Sequence, residues 1–361
     1  MKKSLFTVLA ALLALTLVLG ACAPTAPATP PAAPAETAPE ATPEAPAATT
    51  APSPNEQSFV LRLSEIHSGE AHPAVVGHNA FAEYARERSN GTLNVEVFTG
   101  GVLGSEMEVM AQVQMGTLEM VRLPAPIIAN VEPNFNALML PGVWDGREAM
   151  FDALDGEIGT YFADMLRQHG LYILAWHDAG ARSLYNSVRP IYTPEDLAGL
   201  RIRMQEAPLM IRLMELMGGV PVPMGPAEVY TAIQTGLVDG AENNWPSYVT
   251  SFAHYEVARY FTENEHSRVP EAVVISLAVW DSLSANQQEV LRQAAIDGAN
   301  VQREKWALDE VIAEERAVAA GAQVVRLTPE QRQAFTDRIM PIWDDYPELT
   351  TYIEMIRAYQ S

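Results

Sequence analysis

Three side chains in this sequence could together hold an acid: Arg182, Arg203 and Asn243. A guanidinium presents a planar fork of N–H donors that matches both oxygens of a carboxylate, and an amide adds a further donor. Arg182 opens the run Ala181-Arg182-Ser183-Leu184-Tyr185-Asn186, just after a strand signal. Arg203 lies in Leu200-Arg201-Ile202-Arg203-Met204, where two arginines alternate with three apolar residues, and Asn243 follows Val238-Asp239-Gly240-Ala241-Glu242. All three positions fall near strand ends, where open α/β sheets hold their ligands. Taken singly, an arginine is more commonly a surface ion-pair partner.

Patterns for covalent or metal chemistry are missing. The chain carries no G-x-S-x-G elbow, no Walker loop and no H-E-x-x-H, and its 7 histidines are dispersed. Gly100-Gly101-Val102-Leu103-Gly104 lacks the Lys-Ser/Thr of a phosphate loop and reads as a strand-to-helix turn. Glu106 and Glu108 fall in a first helical turn, where the macrodipole accounts for acids. The sequence therefore points to a binder without metal or cofactor rather than an enzyme, with a secreted hydrolase as a rival. The net charge of -22 excludes nucleic acid, whose phosphates need a basic patch, and disfavours anionic lipid head groups. An anionic ligand would need a local positive site set against that field.

Alternating strand and helix signals must position these groups. Strands are expected at 59–63, 93–97, 118–123, 171–176, 200–204, 237–241 and 272–277. Helices are expected from about 76 to the Ser89-Asn90-Gly91 stop, from the Ser105/Glu108 capping box to Gly116, and over 157–168, 209–217 and 226–235. Thr193-Pro194-Glu195-Asp196 adds a helix start with a proline at its first position. This rhythm implies a mostly parallel sheet covered by helices. A run from Ser284 to about Ala320 has no proline and a single glycine, Gly298. It reads as a helix on the order of 50 Å long that could bridge two domains, or as two shorter helices broken near Gly298.

The N-terminus bears on the compartment. Lys2 and Lys3 precede an apolar stretch over residues 5–18, shorter than the roughly 20 residues of a spanning helix. Leu19-Gly20-Ala21-Cys22 has the form of a lipobox, with Cys22, the one cysteine of the chain, as the lipidation site. Residues 1–21 are thus expected to be a signal peptide. Residues 22–56, rich in Ala, Pro and Thr, read as a lipidated tether too poor in apolar surface to fold. The remaining 300 or so residues suffice for two cores.

Three stretches carry a resemblance: Ala179 to Asn186, Thr193 to Arg203, and Thr235-Gly236-Leu237-Val238-Asp239-Gly240-Ala241-Glu242-Asn243-Asn244-Trp245-Pro246. With them the body of the chain resembles the substrate-binding proteins of TRAP transporters. The resemblance implies an α/β, two-lobed periplasmic-binding-protein-like fold with a hinge cleft and a long spine helix. Residues 57–180 with about 268–306 would form lobe I, and 181–267 with about 307–361 lobe II. It implies that Arg203 pairs with the ligand carboxylate, that Arg182 is a second cationic contact, and that Asn243 hydrogen-bonds the same end. It also implies an extracytoplasmic protein that hands its ligand to a small and a large membrane subunit. The Asp239–Tyr248 stretch and Ala71-His72-Pro73 are similar to the branch that takes sugar acids such as glucuronate and galacturonate. His72 and Glu206 would then read ring hydroxyls and Trp245 would form an aromatic wall. Each also has a plainer role: helix entry for His72, a cap for Glu206, core for Trp245. The alternative ligand is a C4-dicarboxylate or a hydroxy or keto acid, with Arg122 as the far cation or else a solvated strand-edge residue. A ligand-sensing lipoprotein is the alternative of a different class.

Overall fold

In the computed structural model, residues 56–360 are described. The expected signal segment, Cys22 and nearly all of the tether lie outside the described residues. Eleven strands occur among them: β1 (Phe59–Ser64), β2 (Leu93–Phe98), β3 (Met120–Pro124), β4 (Leu171–His177), β5 (Ala181–Asn186), β6 (Arg201–Met204), β7 (Val220–Pro223), β8 (Gly240–Asn243), β9 (Tyr260–Arg268), β10 (Glu271–Ser276) and β11 (Gln323–Arg326). They form two sheets, ordered β2-β1-β3-β10-β4 and β11-β9-β5-β8-β6-β7. Each sheet is the floor of one lobe, and helices cover it, as the α/β alternation implies.

The sheets are mixed rather than mostly parallel. The β1–β2–β3 unit and the β6–β7 and β6–β8 pairs are parallel, as β-helix-β connections require. The antiparallel partners are β10 in the first sheet and β5 in the second. These belong to the two places where the chain changes lobes: β4 leads into β5 through Asp178–Gly180, and β9 leads into β10 through Val269 and Pro270. A strand that enters a sheet from the other lobe arrives without a crossover helix, so its direction is not held to the parallel rule.

The helix Ala285–Ala319 is continuous over 35 residues, with a Ser284/Gln287 capping box at its start. Gly298 does not break it. Helix Pro73–Arg88 crosses the spine here so closely that a Cβ on Gly298 would stand 2.7 Å from the Phe81 Cβ and 2.8 Å from the Gly77 carbonyl oxygen. The N-terminal half of the spine packs in a first-lobe core with Leu61, Leu63, Phe81 and Leu291. Its C-terminal half gives Ala313 and Ala317 to a second-lobe core with Tyr185, Val229 and Phe261. The spine also holds the first crossing: Gln302 accepts from the Asp178 N–H at 3.0 Å and donates to its carbonyl at 2.7 Å. The last helix, Thr350–Gln360, returns to the first lobe. There Tyr359 donates to the Asp152 carbonyl at 3.1 Å and Gln360 to that of Val143 at 2.9 Å. Among the described residues no helix is long and apolar enough to cross a membrane.

Candidate functional site

A small cavity of about 20 Å³ lies between the lobes. The first lobe lines it with Ile66, His67, Glu106, Arg122 and Glu271, and the second with Arg182, Arg203, Gln205, Asn243 and Phe252. Sheet geometry explains the second wall. Arg203 on β6 stands opposite Ala241 on β8, and Asn243, two residues further on, points to the same face as Ala241. Ser183 on β5 pairs with Asn243, which sets Arg182 beside the end of β8.

The three arginines of the cavity are buried in different states. Arg182 forms a buried ion pair with Glu242, donating Nη2 to its Oε1 at 2.8 Å and to its carbonyl at 2.9 Å, while Nη1 reaches Asn243 Oδ1 at 3.1 Å. Burial is the largest influence on Glu242 and acts to raise its pKa, but Arg182 and His266 hold it down to about 2. Arg122 donates to Glu65 at 2.7 Å and 3.3 Å through Nη2 and Nε, and through Nη1 to Glu106 at 3.2 Å and Glu271 at 3.1 Å. Arg203 makes no ion pair among the described residues. Its Nε donates to the Met224 carbonyl at 2.9 Å. Burial lowers its pKa from the ordinary value, whereas those of Arg182 and Arg122 are raised because their carboxylates outweigh burial.

A buried guanidinium with no anion is costly, and an acid entering the cavity would remove that cost. Asn243 is oriented for the same task. Its Oδ1 already accepts from Arg182 and from the Asn244 N–H at 3.0 Å, so its amide nitrogen is the group left to donate. Arg203 is the positive charge of the cavity that no carboxylate pairs among the described residues.

The structure thus brings Arg182, Arg203 and Asn243 together, and it does not bring His72, Glu206 or Trp245 to the cavity wall. His72 lies one layer behind. Its ring stacks on His67 at 4.1 Å, and its Nδ1 caps helix Pro73–Arg88 by accepting from the Ala74 N–H at 3.3 Å. Trp245 stacks on Phe261 at 3.8 Å and packs against the second-lobe core. Glu206 is exposed, and its carbonyl accepts from Asn130 of the opposite lobe at 3.0 Å. Arg122 is no strand-edge residue, being 1% exposed among three carboxylates.

Sequence reasoning missed Glu65, His67, Gln205 and Glu271, and read Glu106 as a first-turn acid only. Glu108 does fill that local role, accepting from Ser105 at the helix start, while Glu106 turns inward to Arg122. The one available signal was spacing: Glu65 and His67 directly follow β1, a ligand-bearing strand end.

His67 also joins the lobes. Its Nε2 lies 3.1 Å from Ser247 Oγ and its Nδ1 2.8 Å from Glu65 Oε1. Ser247–His67–Glu65 has the connectivity of a nucleophilic triad, but Ser247 is fully buried and outside the cavity lining. No substrate carbonyl can reach it in this arrangement. Beside it Ser68 donates its N–H to Ser251 Oγ and its hydroxyl to the Ser251 carbonyl, both at 3.0 Å, so the lobes are latched along one rim of the cavity. A larger depression of about 280 Å³ flanks β4 and the spine, but its cations are already matched, Arg303 with Asp155 and Arg292 with Glu289.

Residues 63–349 match the family described as bacterial extracellular solute-binding protein, family 7. A relative from Chromohalobacter salexigens, called a solute-binding protein, is 35% identical over 286 residues, which are 78% of this chain and 84% of that one. Among solved structures, a TRAP periplasmic solute binding protein from the same species, with bound D-glucuronate, has a TM-score of 0.79 at 33% identity. It covers 83% of this chain and 99% of its own. Another, from a Bradyrhizobium species in complex with α/β-D-galacturonate, has a TM-score of 0.80 at 36% identity over 83% of this chain and 100% of its own.

Proposed function

This chain belongs to family 7 of the bacterial extracellular solute-binding proteins, and on that premise we propose that it captures a hexuronate, glucuronate or galacturonate, outside the cytoplasm for a TRAP transporter. The observation that carries the reading is Arg203: a guanidinium 4% exposed, facing an interlobe cavity, with no carboxylate of its own among the described residues. Arg203 forks the ligand carboxylate, the Asn243 amide donates to the same end, and Arg182, held by Glu242, supplies field rather than a direct fork. The ring hydroxyls face the polar first-lobe wall. Closure of the lobes excludes water and strengthens each of these contacts.

The solved relatives with glucuronate and galacturonate support the sugar acid over a C4-dicarboxylate. So does Arg122, the second cation that a dicarboxylate would use, because it is already matched by Glu65, Glu106 and Glu271. The ligand leaves unchanged and passes to the small and large membrane subunits. The lipobox supports anchoring at Cys22 to the outer face of a membrane.

A thermal-shift panel of hexuronates, C4-dicarboxylates, hydroxy and keto acids and neutral hexoses tests the ligand. At 100 times its dissociation constant a ligand adds about 2.7 kcal/mol, so a hexuronate should give a shift of several degrees and glucose none. Equal shifts from neutral hexoses, or shifts from dicarboxylates alone, would overturn the reading. The anchor is tested by Cys22→Ala, expected to move the protein from the membrane fraction to the soluble one.

A further inference from the structure

We propose that Glu106 and Glu271 share one proton on the cavity wall, and that Glu271 presents this proton to an oxygen of the bound sugar acid. The inference rests on the hexuronate reading for the ligand, and on the cavity's own geometry for the proton. Arg122 is one positive charge faced by three buried carboxylates. Glu65 takes Nη2 and Nε, which leaves Glu106 and Glu271 on the single nitrogen Nη1, at 3.2 Å and 3.1 Å. Arg182 and Arg203 favour ionisation of the pair only through space, since Arg182 is engaged by Glu242 and Arg203 lies in the facing wall, with no ion pair to either among the described residues. Two buried carboxylates on one guanidinium nitrogen do not both stay ionised, and one carboxyl keeps its proton.

The orphaned atom says where the proton is offered. Glu271 Oε1 is bound to Arg122, while Oε2 is buried without any hydrogen-bond partner, and the residue lines the cavity. An ionised Oε2 would confront an incoming anion with a bare charge, whereas a protonated one is a donor waiting for an acceptor. On the facing wall Gln205 Oε1 is likewise buried and unpartnered. The two together offer one donor and one acceptor to a hydroxylated ring.

The surroundings support this protonation state. Burial acts first on Glu271 and pushes it up to about 8, with Arg122 pulling the other way and Glu65 and Glu106 adding to the rise. Burial also raises Glu106, whereas on the same guanidinium Glu65 is held well below the usual range despite burial. The charged and titratable groups that face Glu271 are Arg122 from β3, Glu65 and His67 beyond β1, Glu106, Arg182 from β5, and His177, its register partner on β4.

Binding therefore requires the protonated pair, and above its midpoint each complex must take up a proton. The test measures the dissociation constant of D-glucuronate by calorimetry from pH 6 to 9.5, for the wild-type protein and for Glu271→Gln. Carbon-13 NMR of glutamate carboxyls follows the same titration without ligand. Expected is a wild-type constant that is level below about pH 8 and then rises about tenfold per pH unit. Glu271→Gln should weaken binding severalfold at pH 7 and abolish that alkaline rise. One glutamate carboxyl should titrate near 8 in the ligand-free wild type and vanish in the variant. A level wild-type profile to pH 9.5, or glutamate carboxyls that all titrate below 6, would overturn the proposal. Should glucuronate and galacturonate bind at no pH, the ligand reading falls alone, and the carboxyl titration still decides whether the proton is there.

Discussion

Arg203 and Arg182 sit in one cavity wall, yet removing each should have opposite consequences. Arg203 has no carboxylate partner among the described residues, only the Met224 carbonyl, so Arg203→Lys keeps a charge, loses the planar fork and strands no buried charge. Charge-assisted hydrogen bonds contribute about 1.5–3 kcal/mol each. Arg203→Lys should therefore weaken hexuronate binding by roughly thirtyfold or more in calorimetry, with an unfolding midpoint close to wild type. Arg182→Met strands Glu242, which is fully buried and ionised. Breaking a buried pair in this way typically costs about 3–5 kcal/mol, so that variant should show a large loss in denaturant midpoint even without ligand. If Arg203→Lys binds hexuronate as tightly as wild type, the carboxylate is held elsewhere. The arginines and Asn243 were legible because strand ends and guanidinium chemistry both single them out. The glutamates were not, since Glu65, Glu106 and Glu271 acquire their meaning only from Arg122, which the fold brings from 57, 16 and 149 residues away.

At the scale of elements, periodicity and punctuation located the β-helix-β units, the capping box at Ser105 and the long spine. They missed β9, whose buried face carries Thr262, Asn264 and His266 and so shows no apolar alternation. They also left Gly298 ambiguous, because a glycine that breaks a helix and one that lets another helix approach look the same in sequence. The structure separates the two. Alanine at an exposed helix position would gain about 0.8–1 kcal/mol over glycine from propensity. At position 298 its Cβ would meet the Phe81 Cβ at 2.7 Å and the Gly77 carbonyl oxygen at 2.8 Å, both on a packed helix that cannot swing aside. Overpacking of this kind costs about 1–3 kcal/mol, so the steric term wins. Gly298→Ala should lower stability in urea denaturation, and the same change at Gly77, where the added Cβ would stand 2.5 Å from the Gln302 Cβ, should do likewise. A gain in stability at either site would mean that the two helices do not cross at the distance seen here.

The whole molecule carries an acidic surface over a site crowded with buried titratable groups, and their linkage sets a pH optimum for folding. Burial is the main cause that holds His67, His72, His78, His177 and His254 below the usual histidine value of 6.5, with His78 at about 4 and His254 at about 3. As pH falls through 6.5 the unfolded chain therefore binds more protons at these positions than the folded one, so stability rises with pH there. Glu242 extends the acid loss downward, from 4.5 towards its folded value of about 2. Glu271 acts in the other direction: from 4.5 to about 8 the folded state keeps a proton that the unfolded state releases, so stability declines as pH rises. Each group contributes a slope of at most about 1.4 kcal/mol per pH unit. Below 6.5 five histidines oppose Glu271 and the raised Glu106, and the rise wins. By about pH 7.5 the unfolded histidines have shed most of their protons and their contribution fades, while Glu271 and the self-repulsion of a chain with net charge -22 remain. Urea denaturation from pH 4 to 9 should thus show a maximum at about pH 7, a steep acid limb and a shallow alkaline one, with Glu271→Gln steepening the acid limb above 4.5 and flattening the alkaline one. Stability that held level from pH 5 to 6.5 would mean that the histidines behind the cavity titrate as exposed ones do. The packed layer of His67, His72, His78 and His177 that supports the ligand wall would then be solvated.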